Sequence, residues 1–307
     1  MTDFWPEKTV RPGTLGEEAC VMCSPLIMDK VQREVSRRRV VGIMGAAVAA
    51  GVASRIPAAA QEATPETGDP GMLNLALGSY TQVQDLTHTI TPETPLYPGN
   101  PQPVFEPLRT YEKDGYYANT LTYAEHTGTH MDAPAHFVPE APFSNELPVR
   151  QFFAPLAIID VSERAATDPD TQVMPDDLLA WESEHGPLPA GAFVAMSSGW
   201  DSRIGDPASF ISMGDDDILH FPGFHPDATA LLIDERDITG IGVDTLSLDF
   251  GASTDFGTHI TLLQAGKYGI EGVAALASIP AAGALIVVGG PKFMTGSGGP
   301  SRVMALF

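Results

Sequence analysis

The sequence predicts a single domain of the α/β class, with α+β as the alternative. The chain has 307 residues, 43% of them hydrophobic and only 18% charged, so it is neither a disordered chain nor a coiled coil. Its 27 prolines and 30 glycines require many turns and disfavour a helical bundle. Short strand patterns alternate with a few helical patterns, which indicates a mixed class.

The charge balance excludes one class of partner. There are 17 Lys and Arg against 39 Asp and Glu, for a net charge of -22. So acidic a chain repels phosphate groups, which argues against a nucleic acid or an anionic membrane surface. We therefore expect a small-molecule substrate.

Residues 1–60 have the pattern of a twin-arginine-type export signal with an N-terminal extension. Arginines at 37–39 precede an apolar run over 40–54, which is too short for the ~20 residues of a comfortable membrane span. Small residues at 58–60 offer a cleavage site. The sequence therefore predicts export by the twin-arginine (Tat) machinery to the periplasm or the exterior, with no stable membrane anchor after cleavage. An uncleaved anchor or a surface helix is the alternative.

The extension before the arginines has two further features. Met28 is an alternative start, and translation from it would omit Cys20 and Cys23, the chain's two cysteines. A mature chain without cysteine suits an oxidising compartment.

The first half of the mature chain reads as a linker followed by strands. Residues 61–72 have the composition of a flexible linker, and we place the domain at 73–307. Strand patterns at 83–90 and 120–125 flank a proline-rich stretch, and the apolar run PLAIIDV at 155–161 predicts a buried strand.

Helical patterns enter in the second half. Residues 175–185 have helical spacing with two aspartates in the first turn, and Pro226 opens a helix through 235. The strand patterns are at 192–197, 241–246 and 284–288. A short helix is expected at 271–277.

The segment from His126 to His136, HTGTHMDAPAH, is the densest chemical feature. In an extended segment the side chains of His126, His130 and Asp132 point the same way. A helix would also bring the two histidines together, but Gly128 and Pro134 oppose a helix. Nitrogen and oxygen ligands without a thiolate suit Zn²⁺, Mn²⁺ or Fe²⁺, so the pattern predicts a metal site on a strand or loop.

This segment resembles the H-x-G-T-H-x-D-x-P-x-H motif of the "putative cyclase" family, which includes bacterial kynurenine formamidases and isatin hydrolases. Its flanks are similar too, with DLTH at 85–88, PLYPG at 95–99 and GVDTLSLD at 242–249. The resemblance runs from about residue 83 to 288. It implies a swivelling β/β/α single domain with a central mixed β-structure flanked by helices, and a homo-oligomer that is a dimer or a tetramer.

The resemblance also implies roles for individual residues. His126, His130 and Asp132 would bind the first metal ion. His259 and Glu271 would hold a second ion, with Asp132 bridging the two. The cofactor would be Zn²⁺ or Mn²⁺, two ions per chain, and His136 would be the catalytic acid/base. One departure is GV after Glu271, where relatives often carry NL; this indicates changed packing or pocket lining.

The implied activity is metal-dependent hydrolysis of an amide or cyclic amide, of arylformamidase or isatin hydrolase type. A metal-activated hydroxide would attack, and His136 would transfer the proton. Two alternatives stay open: a lactone or ester hydrolase or cyclase with the same metal, and an exported metal-binding module without turnover. Trp200, Phe137 and Phe224 are candidate contacts for a ring substrate. Export argues against tryptophan catabolism, and so against N-formylkynurenine as the physiological substrate.

Overall fold

The computed structural model describes residues 80–307, which are built around one large mixed β-sheet. The predicted export signal and linker, and the first residues of the predicted domain, lie outside the described residues.

The strands are short and are distributed over the whole described segment. They are β1 (Val83–Asp85), β2 (Val104–Arg109), β3 (Ala118–Thr122), β4 (His130–Asp132), β5 (Phe153–Asp160), β6 (Gln172–Val173), β7 (Phe193–Ser197), β8 (Gly223–Phe224), β9 (Gly240–Val243), β10 (Tyr268–Glu271), β11 (Ala284–Gly289), β12 (Gly298–Pro300) and β13 (Arg302–Leu306).

The α-helices are α1 (Tyr111–Asp114), α2 (Ser162–Ala165), α3 (Pro175–His185), α4 (Pro207–Ile211), α5 (Pro226–Arg236) and α6 (Gly257–Gln264). Short 3₁₀ turns occur at Pro134–His136, Ser144–Glu146, Val149–Phe152, Trp200–Arg203 and Leu276–Ser278. Among the described residues, no helix is both long and apolar enough to cross a membrane.

Nine strands form the main sheet, in the order β1-β13-β11-β5-β7-β9-β10-β4-β12. The middle strands β5, β7, β9 and β10 are parallel, and the strands outside them pair antiparallel. Strands β2 and β3 form a separate two-stranded hairpin, and β6 pairs with β8. The sheet is therefore mixed, as the predicted fold class requires.

The two faces of the sheet are buried in different cores. Along β7, Val194 and Met196 pack under the helices, while Phe193 and Ala195 face the opposite core. The helices α3, α5 and α6 cover the first face with Leu178, Leu232 and Leu262. This alternation buries both sides of the parallel strands, which explains their almost continuous apolar sequences.

Both long predicted helices are confirmed. Helix α3 spans Pro175–His185, and Asp177 in its first turn accepts a hydrogen bond from the backbone N–H of Met174. Helix α5 runs from Pro226 to Arg236, one residue beyond the prediction. Proline at the first helical position and an acidic residue in the first turn are signals that lie within the helix itself, so sequence suffices to find them.

The predicted helix at 271–277 is wrong. Glu271 ends strand β10, which pairs with β9 on one side and β4 on the other. The next residue, Gly272, has a φ of 61°, which a right-handed helix does not allow. The partners of β10 come from distant parts of the chain, so a local pattern cannot reveal them.

Candidate metal centre

Strand β4 supplies two of the predicted ligands and places them beside a third. His130 and Asp132 are alternate residues of β4 and share a face, as predicted, while His126 lies in the loop before it. In the antiparallel register with β10, Glu271 is directly opposite His130. Oε2 of Glu271 lies 3.2 Å from Nε2 of His130. The strand interpretation of this motif is therefore confirmed for its central part.

Strand β12 closes the other side of β4 through a glycine. A Cβ at Gly298 would collide with the carbonyl oxygen of Met131 and lie 2.9 Å from Cε1 of His126. Glycine at this position therefore allows the backbone of β12 to approach β4 and the imidazole of His126 closely.

His259 comes from the first turn of α6. The carboxylate of Asp249 accepts hydrogen bonds from the backbone N–H groups of Thr258 and His259, at 2.7 and 3.1 Å. Its Oδ2 also lies 2.6 Å from Nδ1 of His259. The other ring nitrogen, Nε2, points at Oδ2 of Asp132 (3.4 Å) and Oε1 of Glu271 (3.0 Å). Asp249 thus fixes both the start of the helix and the orientation of the ring.

These five side chains form two groups that share one carboxylate. His126, His130 and Asp132 make the first group; Asp132, His259 and Glu271 make the second. Within each group the potential ligand atoms lie within 4.8 Å of one another. The structure brings together all five predicted ligands, and Asp132 lies between the two groups.

Two buried atoms of the cluster suit a cation. Nε2 of His130 and Oδ2 of Asp132 are buried and make no hydrogen bond. A buried polar atom without a partner costs free energy, and a cation coordinated by both atoms would remove that cost. The set of imidazole nitrogens and carboxylate oxygens matches the ligands of Zn²⁺ and Mn²⁺.

The electrostatics also favour positive charge. Burial alone lowers the pKa of His130, but the carboxylates of Asp132 and Glu271 outweigh burial and raise it to about 10. Burial would likewise raise the pKa of Asp132, yet the surrounding imidazoles of His126, His130 and His259 hold it well below its ordinary value. The buried carboxylates therefore retain protons on their histidine neighbours. A bound divalent cation would balance the charge of the same carboxylates while the imidazoles are neutral.

His136 lies beside this cluster, in the 3₁₀ turn after β4. Its ring stacks on that of His126, with centroids 3.9 Å apart and planes at 26°. Burial lowers the pKa of His136 to about 4. The imidazole is therefore neutral at pH 7 and able to accept a proton.

A small cavity opens onto the cluster. Its lining includes three of the predicted site residues, His126, His130 and Glu271. The remaining walls are mostly apolar or aromatic: His88, Pro95, Leu96, Tyr97, Gly128, Ile204, Phe210, Thr245, Leu246 and Gly272. A mostly apolar wall with a few polar groups is the lining of a small-molecule site.

Two residues of this cavity, His88 and Tyr97, were not among the site residues predicted from the sequence. His88 has a buried Nε2 that makes no hydrogen bond. Tyr97 was not singled out. Both belong to the segments DLTH and PLYPG, which carry the family resemblance. That resemblance is the feature of the sequence from which their place at the site could have been predicted.

The three aromatic residues predicted as substrate contacts do not line this cavity. Trp200 is buried behind it, where Nε1 donates to the carbonyl of Phe210 at 2.8 Å. Phe224 lies in the core under the helices. Phe137 packs against the rings of His136 and His259, at centroid distances of 4.7 and 4.8 Å. Large aromatic side chains gain most free energy when they are fully buried, so they lie more often in a core than in a cavity wall.

The departure after Glu271 has a backbone explanation. Gly272 lines the cavity with a left-handed φ of 61°, and a Cβ there would approach the carbonyl oxygen of Gly128 to 2.9 Å. Glycine adopts this conformation freely, and asparagine is among the few other residues that tolerate it. Glycine at this position therefore avoids both the backbone strain and the close contact with Gly128.

Comparison with known proteins gives a consistent set of similarities. A family model described as "Putative cyclase" matches residues 84–250, a segment that contains His126, His130, Asp132 and His136. The chain is 33% identical over 247 residues to the isatin hydrolase of Roseibium aggregatum, covering 75% of this chain and 93% of that protein. It is 25% identical over 222 residues to the kynurenine formamidase of Salinibacter ruber, covering 72% and 95%. A solved isatin hydrolase bound to the product analogue thioisatinate matches with a TM-score of 0.70 at 32% identity, covering 74% and 92%.

Proposed function

This chain belongs to the cyclase family, and we propose that it opens the ring amide of isatin or a closely related aromatic lactam. The chain is a metal-dependent hydrolase of amide C–N bonds, given its similarity to an isatin hydrolase and a kynurenine formamidase and its two groups of ligands. The choice of substrate rests on one observation, the small apolar cavity that adjoins the ligand cluster.

The lining of the cavity favours a neutral ring over an amino acid. N-formylkynurenine carries an α-carboxylate and an α-ammonium group, and a buried carboxylate requires a cationic or hydrogen-bonding partner. Among the described residues that line the cavity, none is Lys or Arg. Tyr97, Phe210 and Leu246 instead offer flat and apolar surface, which suits a neutral bicyclic lactam.

The metal in this proposal is Zn²⁺ or Mn²⁺, held as two ions. His126, His130 and Asp132 would hold one ion, and Asp132, His259 and Glu271 the other. A bound divalent ion polarises a carbonyl oxygen and lowers the pKa of water to roughly 7.

His136 carries the proton in the proposed reaction. Water adds to the amide carbonyl carbon and the C–N bond breaks, so one proton must move from water to the departing nitrogen. The neutral imidazole of His136 accepts that proton and then donates it to the nitrogen. Its stacking on His126 and edge contact with Phe137 keep the ring beside the ligand cluster.

We also propose that the chain forms a homo-oligomer, a dimer or a tetramer, through the β2–β3 hairpin. The hairpin does not pair with the main sheet, and a two-stranded ribbon is only marginally stable alone. It exposes large apolar side chains: Val104, Phe105, Leu108, Tyr111, Tyr117 and Leu121. Such an exposed apolar patch is typical of an interface, and a second copy would cover it with the same surface.

Export through the twin-arginine machinery to the periplasm or the exterior belongs to the same proposal. Its support is the arginine run at 37–39 and the short apolar segment that follows.

A substrate panel tests the proposed function. Purified chain loaded with Zn²⁺ or Mn²⁺ is given isatin, N-formylkynurenine and an aromatic lactone, and kcat/KM is measured for each. We expect isatin to be preferred. Preference for the lactone would move the assignment to ester hydrolysis with the same site. His136→Ala gives the background rate, and His225→Ala, at a partly exposed helix N-cap away from the ligand cluster, is the matched control.

A further inference from the structure

Ser297 connects a carboxylate outside the ligand cluster to one of the proposed ligands. Its Oγ lies 3.0 Å from Nε2 of His126. Its hydroxyl and its backbone N–H both donate to Oε2 of Glu125, at 2.6 and 3.1 Å. Its carbonyl accepts the N–H of Ala133, just after β4, at 2.9 Å. Hydrogen bonds of both its backbone N–H and its backbone carbonyl therefore fix the position of Ser297.

The directions of these hydrogen bonds are fixed by chemistry. A carboxylate only accepts, so the single hydroxyl proton of Ser297 goes to Glu125. The hydroxyl oxygen can then only accept from His126, which puts the proton of the neutral imidazole on Nε2. Nδ1 lies 2.7 Å from Oδ1 of Asp132, and when both of these atoms bind the proposed ion, the neutral ring has its lone pair on Nδ1.

We propose that Ser297 and Glu125 are positioning residues that select the tautomer of His126, so that Nδ1 is the metal-binding nitrogen. This inference rests on the proposed metal site. The other two histidines have the opposite arrangement. His130 has its Nδ1 2.9 Å from the carbonyl of Gly128, and His259 has its Nδ1 beside Asp249, so both offer Nε2.

Loss of either partner removes the selection. Without Glu125 the hydroxyl of Ser297 can rotate and donate to Nε2 of His126. The ring proton then moves to Nδ1, where it competes with the cation. Without Ser297 the ring loses its acceptor. Hydrogen-bond partners of metal-bound histidines typically contribute 10- to 100-fold to metal affinity.

The first test determines directly which ring nitrogen of His126 carries the proton. Long-range ¹H–¹⁵N spectra of zinc-loaded protein labelled at histidine distinguish a protonated ring nitrogen from one without a proton, and His126→Gln assigns the signals. We expect His126 to carry its proton on Nε2, with His130 and His259 carrying theirs on Nδ1. A proton on Nδ1 of His126 overturns the inference.

The second test measures zinc affinity by competition with a chelator. Ser297→Ala and Glu125→Leu should each weaken binding about 10- to 100-fold, and the double variant should lose no more than either single one. Glu125→Gln should retain most of the affinity, because the backbone N–H of Ser297 turns the amide oxygen towards the serine. Ser301→Ala is the matched control, since that buried hydroxyl donates to Gly299 in the same strand region.

The possible outcomes distinguish a failure of this inference from a failure of the proposed metal site. Wild-type chain that binds no zinc contradicts the proposed metal site itself. Zinc binding at full affinity in Glu125→Leu leaves the metal site in place and overturns the positioning role.

Discussion

Each histidine of the candidate metal centre has one ring nitrogen at a hydrogen-bond partner and turns the other towards a carboxylate. The partners are the carbonyl of Gly128, the carboxylate of Asp249 and the hydroxyl of Ser297. Such contacts hold each ring in orientation before a metal binds, which lowers the cost of assembling the site.

At this scale His136 differs from the ligands, because its neutral ring stacks on His126 and lies outside both ligand groups. His136→Ala should lower kcat for isatin about 10²- to 10⁴-fold, the usual contribution of general acid–base catalysis. The bound metal, measured by elemental analysis, should be unchanged. Loss of metal along with activity would instead assign His136 a ligand role.

Asp244 should make stability depend on pH. Burial raises its pKa to about 6 from an ordinary 3.8, although donors from Ser198 and Trp200 oppose the rise. Between pH 4 and 6 the folded chain therefore holds a proton that the unfolded chain has released. The stabilisation is present below pH 4 and is lost as the pH rises through 6.

Asp244→Asn removes this titration while its amide oxygen can still accept from both backbone N–H groups. Between pH 4 and 7 the free energy of unfolding of the wild type should fall by about 3 kcal/mol more than that of the variant. Denaturant unfolding at the two pH values measures the difference. Equal pH dependence in both proteins would contradict the assignment.

At the scale of elements, the site depends on the pairing of β4 with β10 and on the start of α6. Strand β4 carries two ligands in three residues, and its register with β10 brings Glu271 opposite His130. A slip of one residue would turn Glu271 to the other face of the sheet. The same two strands thus position three of the five ligands.

The β2–β3 hairpin yields a prediction about assembly. Phe105 and Leu121 are directly opposite each other in the hairpin and are 37% and 50% exposed. Changing both to serine should convert the oligomer to monomers, because the variant loses apolar area that a second copy would bury. Light scattering after size exclusion gives the mass. Val149→Ser, at another exposed apolar position, should leave the mass unchanged; a monomeric wild type would contradict the proposed interface.

For the molecule as a whole, the sequence predicted what is local and missed what depends on distant pairing. The alternation of His130 and Asp132 and the first turns of α3 and α5 are visible in a few residues. By contrast, β10 and β13 are short segments that each have one partner far away in the chain, β4 and β1, and short apolar runs do not distinguish strand from helix. The roles of His259 and Glu271 came only from the family resemblance, because nothing near them in sequence indicates a metal site.

The cluster around Asp132 is expected to work through a divalent metal. Isatin hydrolysis by protein stripped with a chelator, before and after Zn²⁺ or Mn²⁺ is added back, tests this dependence. We expect stripping to abolish turnover, either ion to restore it, and Asp132→Asn to stay inactive. Undiminished turnover by stripped protein, with its metal content verified, would show that hydrolysis does not need the metal.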